Sequence, residues 1–447
     1  MLPMFRSLLF LLILVPISVL SQDSLFVKLN PQGEFNQISM FRINGAHQAY
    51  ISNAKSEDGN FKFEFPTDAT PGMYRLFFDL QNGQFFEVLY NNETIEVTFD
   101  PSMPDDSAVF SQSKENDVYQ RYIQEISLQQ YTLDSLQYGY FNAPIKQYIK
   151  DQYPLELQKL YELQDNFEKE AEGLMVLDFI KGNEKYYSTE VIESLEAYMF
   201  SLNEHFFDYI DFTNENLHPS SFFIDKVIEY VFYMNSAEDA ETDITLKKQV
   251  IAIAMDRIGD NHKVKNEIIS SLLYAFTQHQ NISLVSYVEE NFYLKQEQEL
   301  QDERFLDQVH SMIQIAVGMT APEITWTENE VEKKLSELSE AEKYVVVFWS
   351  TTCSHCLEEI PLFYNNSESL TNVKVIAVAL EEDAIEFKNQ IKSMPNWINV
   401  LGLDKWENEF ARSYDVNATP SYFVLDSDKK ILAKPDTFED VIDYFSE

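Results

Sequence analysis

The sequence predicts a chain of three parts: an N-terminal antiparallel β-sandwich, a central α-helical domain and a C-terminal α/β layer fold. Three observations carry this. Apolar residues alternate with polar ones as far as about residue 110. They recur at helical spacing from about residue 115 to 317. Beyond that they gather into short apolar runs separated by helical segments. The 447 residues are enough for two to four domains of roughly 100–200 residues each. The expected division is 1–21 export signal, 22–110 β-sandwich, 111–317 helical, and 318–447 α/β.

Composition narrows the function classes. Hydrophobic residues make up 45% of the chain and aromatics 14%, which excludes global disorder. There are 33 Lys+Arg against 74 Asp+Glu, a net charge of −41. Such a surface repels phosphate backbones and anionic lipid heads, so no nucleic-acid partner is expected.

The first segment reads MLPMFRSLLFLLILVPISVLSQDS. Arg6 precedes an apolar run from Leu8 to Leu20, and Val19 and Ser21 suit cleavage before Gln22, the layout of a secretory signal peptide. The run falls short of the ~20 apolar residues of a membrane span, and Pro16 interrupts it. No Cys is present for lipoprotein processing. The mature chain is therefore expected to be exported, with no stable membrane span and no lipid anchor.

Next come FKFEF (Phe61–Phe65), MYRLFFDL (Met73–Leu80), QFFEVLY (Gln84–Tyr90) and TIEVTF (Thr94–Phe99). Turn signals fall at Asp58-Gly59, Pro71-Gly72 and Asn82-Gly83, and SNAKSEDG (Ser52–Gly59) reads as a polar turn-forming stretch. Pro101 and Pro104 mark the exit. In the helical region, Tyr119, Tyr122, Ile123 and Ile126 sit at i, i+3, i+4 and i+7, and Ile268, Ile269, Leu272, Leu273 and Phe276 form a second stripe. Pro144, Pro154, Gly182, Pro219 and Gly259 read as breaks. No fixed repeat supports a solenoid. The Tyr and Phe residues here read as core, and no catalytic constellation is visible.

In the last part, Tyr344–Trp349 and Val373–Leu380 read as buried strands, and Ala384–Ser393 as a helix. Ser421–Asp426 with Lys430–Lys434 reads as a hairpin, and Phe438–Phe445 as a closing helix.

The chain has two cysteines, Cys353 and Cys356, in one C-x-x-C. They exclude a disulfide-rich scaffold and a four-thiolate zinc site. The seven histidines show no metal-ligand spacing, so no metal is expected. The pair follows a buried strand and opens a helix. Unpaired N–H groups and a partial positive charge at a helix N-terminus stabilise a thiolate, so Cys353 should ionise below its ordinary ~8.5. Cys353 can then attack a substrate disulfide, and Cys356 can resolve the mixed disulfide. Taken alone, the motif is also compatible with half of an intermolecular metal site or a static bridge. The exported context, the flanking strand and helix, and Thr419-Pro420 before a strand favour a redox-active pair.

Several spaced motifs agree. Val317-Gly318-Met319-Thr320-Ala321-Pro322 comes first, then the strand and C-x-x-C, then Glu358-Glu359-Ile360-Pro361, and finally YDVNATPSYFVLD from Tyr414 to Asp426. Together they resemble the TlpA/ResA-like branch of the thioredoxin superfamily, from Gly318 to the end of the chain. The resemblance implies a thioredoxin-like fold and a bacterial periplasm or cell-envelope location. More loosely, the segment with DGNFKFEF and PGMYRLFF is similar to the N-terminal domain often joined to such modules in exported bacterial proteins. A helical middle is also seen in that group.

The resemblance implies roles. Cys353 falls on the attacking thiol and Cys356 on the resolving thiol. Pro420 falls on the cis proline, which would set the backbone of Thr419 beside the thiols to pair with an extended substrate. Glu359 matches an active-site glutamate able to shuttle the second thiol's proton. Trp349, Ser354 and His355 flank the pair and would modulate it. There are departures: Val347 stands where thioredoxin has a buried Asp, Thr352 where a Trp often precedes the first Cys, and Ser354-His355 between the thiols. His355 resembles the histidine of oxidising DsbA-like proteins, and an imidazole near the thiolate raises the reduction potential. Kinship thus implies a disulfide reductase, whereas His355 argues for an oxidant or isomerase.

The expected partners are protein disulfide substrates and an external thiol or disulfide electron donor, since no third cysteine exists. No cofactor is expected beyond the redox-active Cys353–Cys356 disulfide. One alternative is a non-catalytic envelope binding or scaffold protein with a structural thioredoxin-like domain. Another is a peroxidase, which would need Ser350 near Cys353 plus an arginine, for which this part offers only Arg412.

Overall fold

The computed structural model describes residues 23–32, 35–142, 144–328 and 330–446. The expected export signal, 1–21, lies outside the described residues. The chain forms two compact units. One runs as far as Met234 and takes in Asp256–Val264; the other holds Asn235–Met255 and continues from Lys265. Helices occur in both.

The first unit begins with strands β1 (Ser24–Leu29), β2 (Gln37–Asn44), β3 (His47–Lys55), β4 (Asn60–Glu64), β5 (Gly72–Asp79), β6 (Gln84–Tyr90), β7 (Ile95–Phe99) and β8 (Val109–Gln112). They make two four-stranded sheets, ordered β4-β1-β7-β8 and β3-β2-β5-β6. Leu25, Val27, Phe61 and Val97 of the first sheet share one apolar core with Ile38, Met40, Leu76 and Phe86 of the second. Alternating burial places one face of each sheet inward, as the period-two pattern predicts. The expected sandwich is present, with one difference: β1 and β7 pair in parallel, Leu25 opposite Ile95. A second correction concerns Ser52–Lys55. These residues belong to β3 and pair with Gln37–Met40. β3 is an edge strand and mostly solvated, so it lacks the apolar alternation that marks inner strands.

The helices that follow are α1 (Pro104–Ser107), α2 (Lys114–Asn142), α3 (Lys146–Glu170), α4 (Val176–Gly182), α5 (Leu195–Glu204), α6 (Phe222–Ile228), α7 (Ala240–Ile258), α8 (His262–Gln278), α9 (Ile282–Asn291) and α10 (Glu303–Gln314). Pro144, Pro219 and Gly259 fall between helices, and Gly182 closes α4. Pro154 does not break the chain as expected; it lies inside α3. The buried residues Ile149, Tyr153, Leu157 and Leu160 on either side of it hold both halves of the helix against the core.

The second unit carries a hairpin, β9 (Thr325–Glu328) and β10 (Val331–Lys334), and a five-stranded sheet. The sheet consists of β11 (Lys343–Trp349), β12 (Val373–Glu381), β13 (Ile398–Leu403), β14 (Ser421–Asp426) and β15 (Ile431–Ala433), in the order β13-β12-β11-β14-β15. β11, β12 and β13 run parallel; β14 and β15 are antiparallel. Helices α11 (Ser354–Ser367), α12 (Ile385–Gln390), α13 (Glu409–Ser413) and α14 (Phe438–Ser446) complete it. Central strand β11 is buried on both faces. Tyr344, Val346 and Phe348 pack with Phe410 and Tyr414, while Val345, Val347 and Trp349 pack with Ile360 and Phe363 of α11 and Val441 of α14. That double burial is why the strand reads as an unbroken apolar run.

The Val317–Pro322 motif works as an edge cover. Gly318 N donates to Ile431 O (2.7 Å) and Ala321 N to Lys429 O (2.8 Å), so β15 is not left with an open edge. No helix among the described residues is long and apolar enough to cross a membrane.

Candidate active site

Strand β11 delivers Trp349 to the end of the sheet, and the chain turns through Ser350–Thr352 into α11. The turn is held from within by Thr352 N on Ser350 Oγ (3.2 Å) and Cys353 N on Ser350 O (3.3 Å). It is also held from the side. Glu381, buried at the end of β12, accepts Thr351 N at 2.5 Å and Thr351 Oγ1 at 2.9 Å. The parallel register ends with Trp349 opposite Ala379, and just past that end Glu381 meets Thr351 through the two hydrogen bonds. Sequence reasoning missed Glu381. The usable signal was its place at the carboxyl end of a parallel strand, where α/β sheets gather functional groups.

Cys353 is the N-cap of α11, and its Sγ accepts Cys356 N at 3.1 Å. No acidic residue in the first helical turn offsets the positive end of the helix. Cys353 and Cys356 are paired, with Cα atoms 5.2 Å apart. Cys356 is fully buried, whereas Cys353 is half-buried. The carbonyl oxygen of Thr419 is 3.4 Å from Cys353 Sγ. The Thr419–Pro420 peptide is cis. Four of the expected residues, Cys353, Cys356, Thr419 and Pro420, thus meet at one place.

Glu359 lies one turn further along α11. It is buried rather than solvated beside the exposed Glu358. Tyr422 OH (2.9 Å) and Phe438 N (3.0 Å) both donate to its Oε1. Its Oε2 is 2.8 Å from His355 Nε2. Burial and the adjacent Glu359 charge push the Tyr422 hydroxyl well above the usual phenol range, so Tyr422 acts as a donor only. His355 was expected to act on the thiolate; its Nε2 is engaged by Glu359. Ser354 is exposed in the first turn. Trp349 packs in the same apolar cluster as Cys356, and its buried Nε1 has no hydrogen-bond partner among the described residues. Val347 is buried in that cluster, without the carboxylate thioredoxin carries there. Arg412, the arginine a peroxidase would need, is bonded to Glu407 at the surface. Among the described residues, no group of three or more His, Cys, Asp or Glu is placed to hold a metal ion.

Residues 316–439 match the family model Redoxin. Residues 28–119 match a domain of unknown function, DUF4369. No curated protein matches the chain. Among solved structures, a domain of a possible thiol-disulfide isomerase from Cytophaga hutchinsonii is 28% identical, covering 29% of this chain and 90% of that one, with a TM-score of 0.26. A thioredoxin-like protein from Bacteroides caccae is 17% identical, covering 59% and 97%, with a TM-score of 0.41. The thioredoxin domain of a thiol-disulfide oxidoreductase from Bacteroides vulgatus is 23% identical, covering 29% and 98%, with a TM-score of 0.26. The Redoxin match spans the paired cysteines, Glu359 and Thr419-Pro420, and over residues 316–439 the chain carries a thioredoxin-like domain similar to that family.

Proposed function

We propose that this protein is an exported thiol–disulfide oxidoreductase that exchanges disulfides with protein substrates through Cys353-Ser354-His355-Cys356. It acts as a disulfide reductase in the bacterial periplasm or cell envelope. The observation that carries this reading is the half-buried Cys353 at the start of α11, with buried Cys356 behind it and the Thr419 carbonyl 3.4 Å from its sulfur.

In the reduced enzyme, the Cys353 thiolate attacks one sulfur of a substrate disulfide. The other substrate sulfur leaves as a thiolate and takes a proton from water. Cys356 gives up its proton and attacks Cys353 Sγ. The Cys353–Cys356 bond forms, the second substrate thiol departs, and two electrons have passed to the substrate. The backbone of Thr419 pairs with the extended substrate beside its cysteine. An external thiol donor then reduces the enzyme disulfide, which is the redox group and requires no further cofactor. His355 draws on Glu359, and that removes its pull toward an oxidant and supports the reductase direction.

The test is equilibration of the wild-type pair against glutathione, combined with the pH dependence of Cys353 alkylation. The expected result is reversible exchange and an alkylation midpoint below the ordinary ~8.5. A slow-reacting Cys353 with no exchange would support a scaffold protein instead.

A further inference from the structure

Cys356 is fully buried. The proton its thiol must lose before it attacks a mixed disulfide therefore cannot pass straight to water. Cys356 and Glu359 stand three residues apart on α11, so they share one face of the helix. Tyr422, in the apolar cluster that holds Cys356, bonds Glu359 directly. The two carboxylate oxygens of Glu359 differ. Oε1 is fixed by the Tyr422 hydroxyl from β14 and the Phe438 amide from α14. Oε2 faces His355 Nε2. The His355 side chain is 70% exposed and that of Glu359 is 7% exposed, so this single contact crosses from interior to solvent.

We propose that His355 is the proton outlet of the resolving thiol, an inference that rests on the disulfide-exchange reading above. Cys356 passes its proton to Glu359 Oε2, and the resulting thiolate attacks Cys353 Sγ. The Cys353–Cys356 bond forms and the Cys353–substrate bond breaks. The enzyme pair is oxidised by two electrons, and the departing substrate sulfur is reduced and takes a proton from water. At rest His355 Nε2–H donates to ionised Oε2. Once Oε2 is protonated, the exposed ring exchanges through water to the Nδ1–H tautomer, the freed Nε2 takes the proton from Oε2, and Nδ1 releases its own to solvent, which restores the starting tautomer. Imidazole suits this step because one ring nitrogen can accept a proton while the other releases one. The other groups around Glu359 do not compete. Tyr422 keeps its proton, the Phe438 amide does not titrate, and Glu439 on α14 acts on Tyr422 only as a like charge. When the external donor re-reduces the pair, the route runs inward.

The experiment is rapid mixing of the reduced full-length protein with a disulfide-bonded model protein, quenched by acid and read by mass spectrometry. It follows formation and decay of the mixed disulfide separately across pH 6 to 9. His355→Ala should leave formation unchanged and slow decay roughly tenfold or more at neutral pH. Added imidazole should restore decay in proportion to its concentration. His355→Gln keeps a donor for Oε2 but cannot carry a proton, so it should be as slow as the alanine variant. Decay in His355→Gln at the wild-type rate would overturn the proposal, as would slow decay in His355→Ala that imidazole does not restore. Failure of the wild type to form any mixed disulfide would instead sink the exchange reading itself.

Discussion

Glu381 takes both donors that Thr351 offers: the amide at 2.5 Å and Oγ1 at 2.9 Å. A carboxylate at the end of one strand thereby holds the turn that aims Cys353 from the end of the next. Glu381→Ala leaves those donors unpaired and should cost about 1–3 kcal/mol. Glu381→Gln keeps an acceptor and should lose less. Urea unfolding followed by tryptophan fluorescence measures both, and the alkylation rate of reduced Cys353 shows whether the turn has moved.

The unequal exposure of the two sulfurs predicts an asymmetric pair. Cys353→Ser should abolish disulfide exchange, because the buried Cys356 cannot reach a visiting polypeptide. Cys356→Ser should accumulate mixed disulfides through Cys353. Non-reducing electrophoresis and mass spectrometry of protein incubated with a disulfide substrate separate the two outcomes. Equal trapping by both variants would contradict the assigned order.

Tyr422 gives a pH prediction. Tyr422→Phe removes one donor from a buried carboxylate and should cost about 1.5–3 kcal/mol at neutral pH. The native hydroxyl is pushed up by burial and by Glu359, so the folded state holds this proton more tightly than the unfolded chain does. Its contribution is complete below the ordinary phenol value of about 10 and is lost as pH rises toward the native value. Wild-type stability should therefore fall more steeply above pH ~10 than that of Tyr422→Phe. Urea midpoints measured from neutral pH upward check this.

Arg42 in the sandwich is a stability prediction far from the thiols. Its guanidinium donates to Pro71 O (2.7 Å), Pro219 O (3.0 Å) and Met73 O (3.2 Å), and burial lowers its pKa from the ordinary arginine value. Arg42→Ala removes these bonds, with Pro219 O keeping only the Met73 amide at 2.9 Å, and should cost about 3 kcal/mol. Arg42→Lys should recover little, because an ammonium cannot reproduce the fork. Thermal unfolding of the full chain reads both.

Legibility varied with the kind of signal. β11, β12 and β14 were readable because burial on both faces makes each an apolar run, and α14 because burial of one face gives it a helical period. β13 and the β9–β10 hairpin were not. INVLGL follows a Pro-Asn-Trp turn without clear alternation, and TWTE and VEKK are solvated strands with little apolar content. Ala384–Ser393 shortened to α12 and a 3₁₀ turn, Ile391–Ser393. Pro154 shows the reverse error, a strong local breaker overruled by packing on both sides.

The sequence by itself determined the broad architecture and the position of the two thiols at a strand-to-helix junction. Those features depend on residue type and short-range spacing, which the chain carries in one dimension. Only the tertiary structure decided what the charged groups do. Glu359 became buried because Tyr422 and Phe438, 63 and 79 residues away, close over it. Glu381 met Thr351 because two strands lie parallel in one register. A carboxylate looks the same in sequence whether water or a distant hydroxyl and amide will satisfy it, and which of these applies depends on the segment that packs above it.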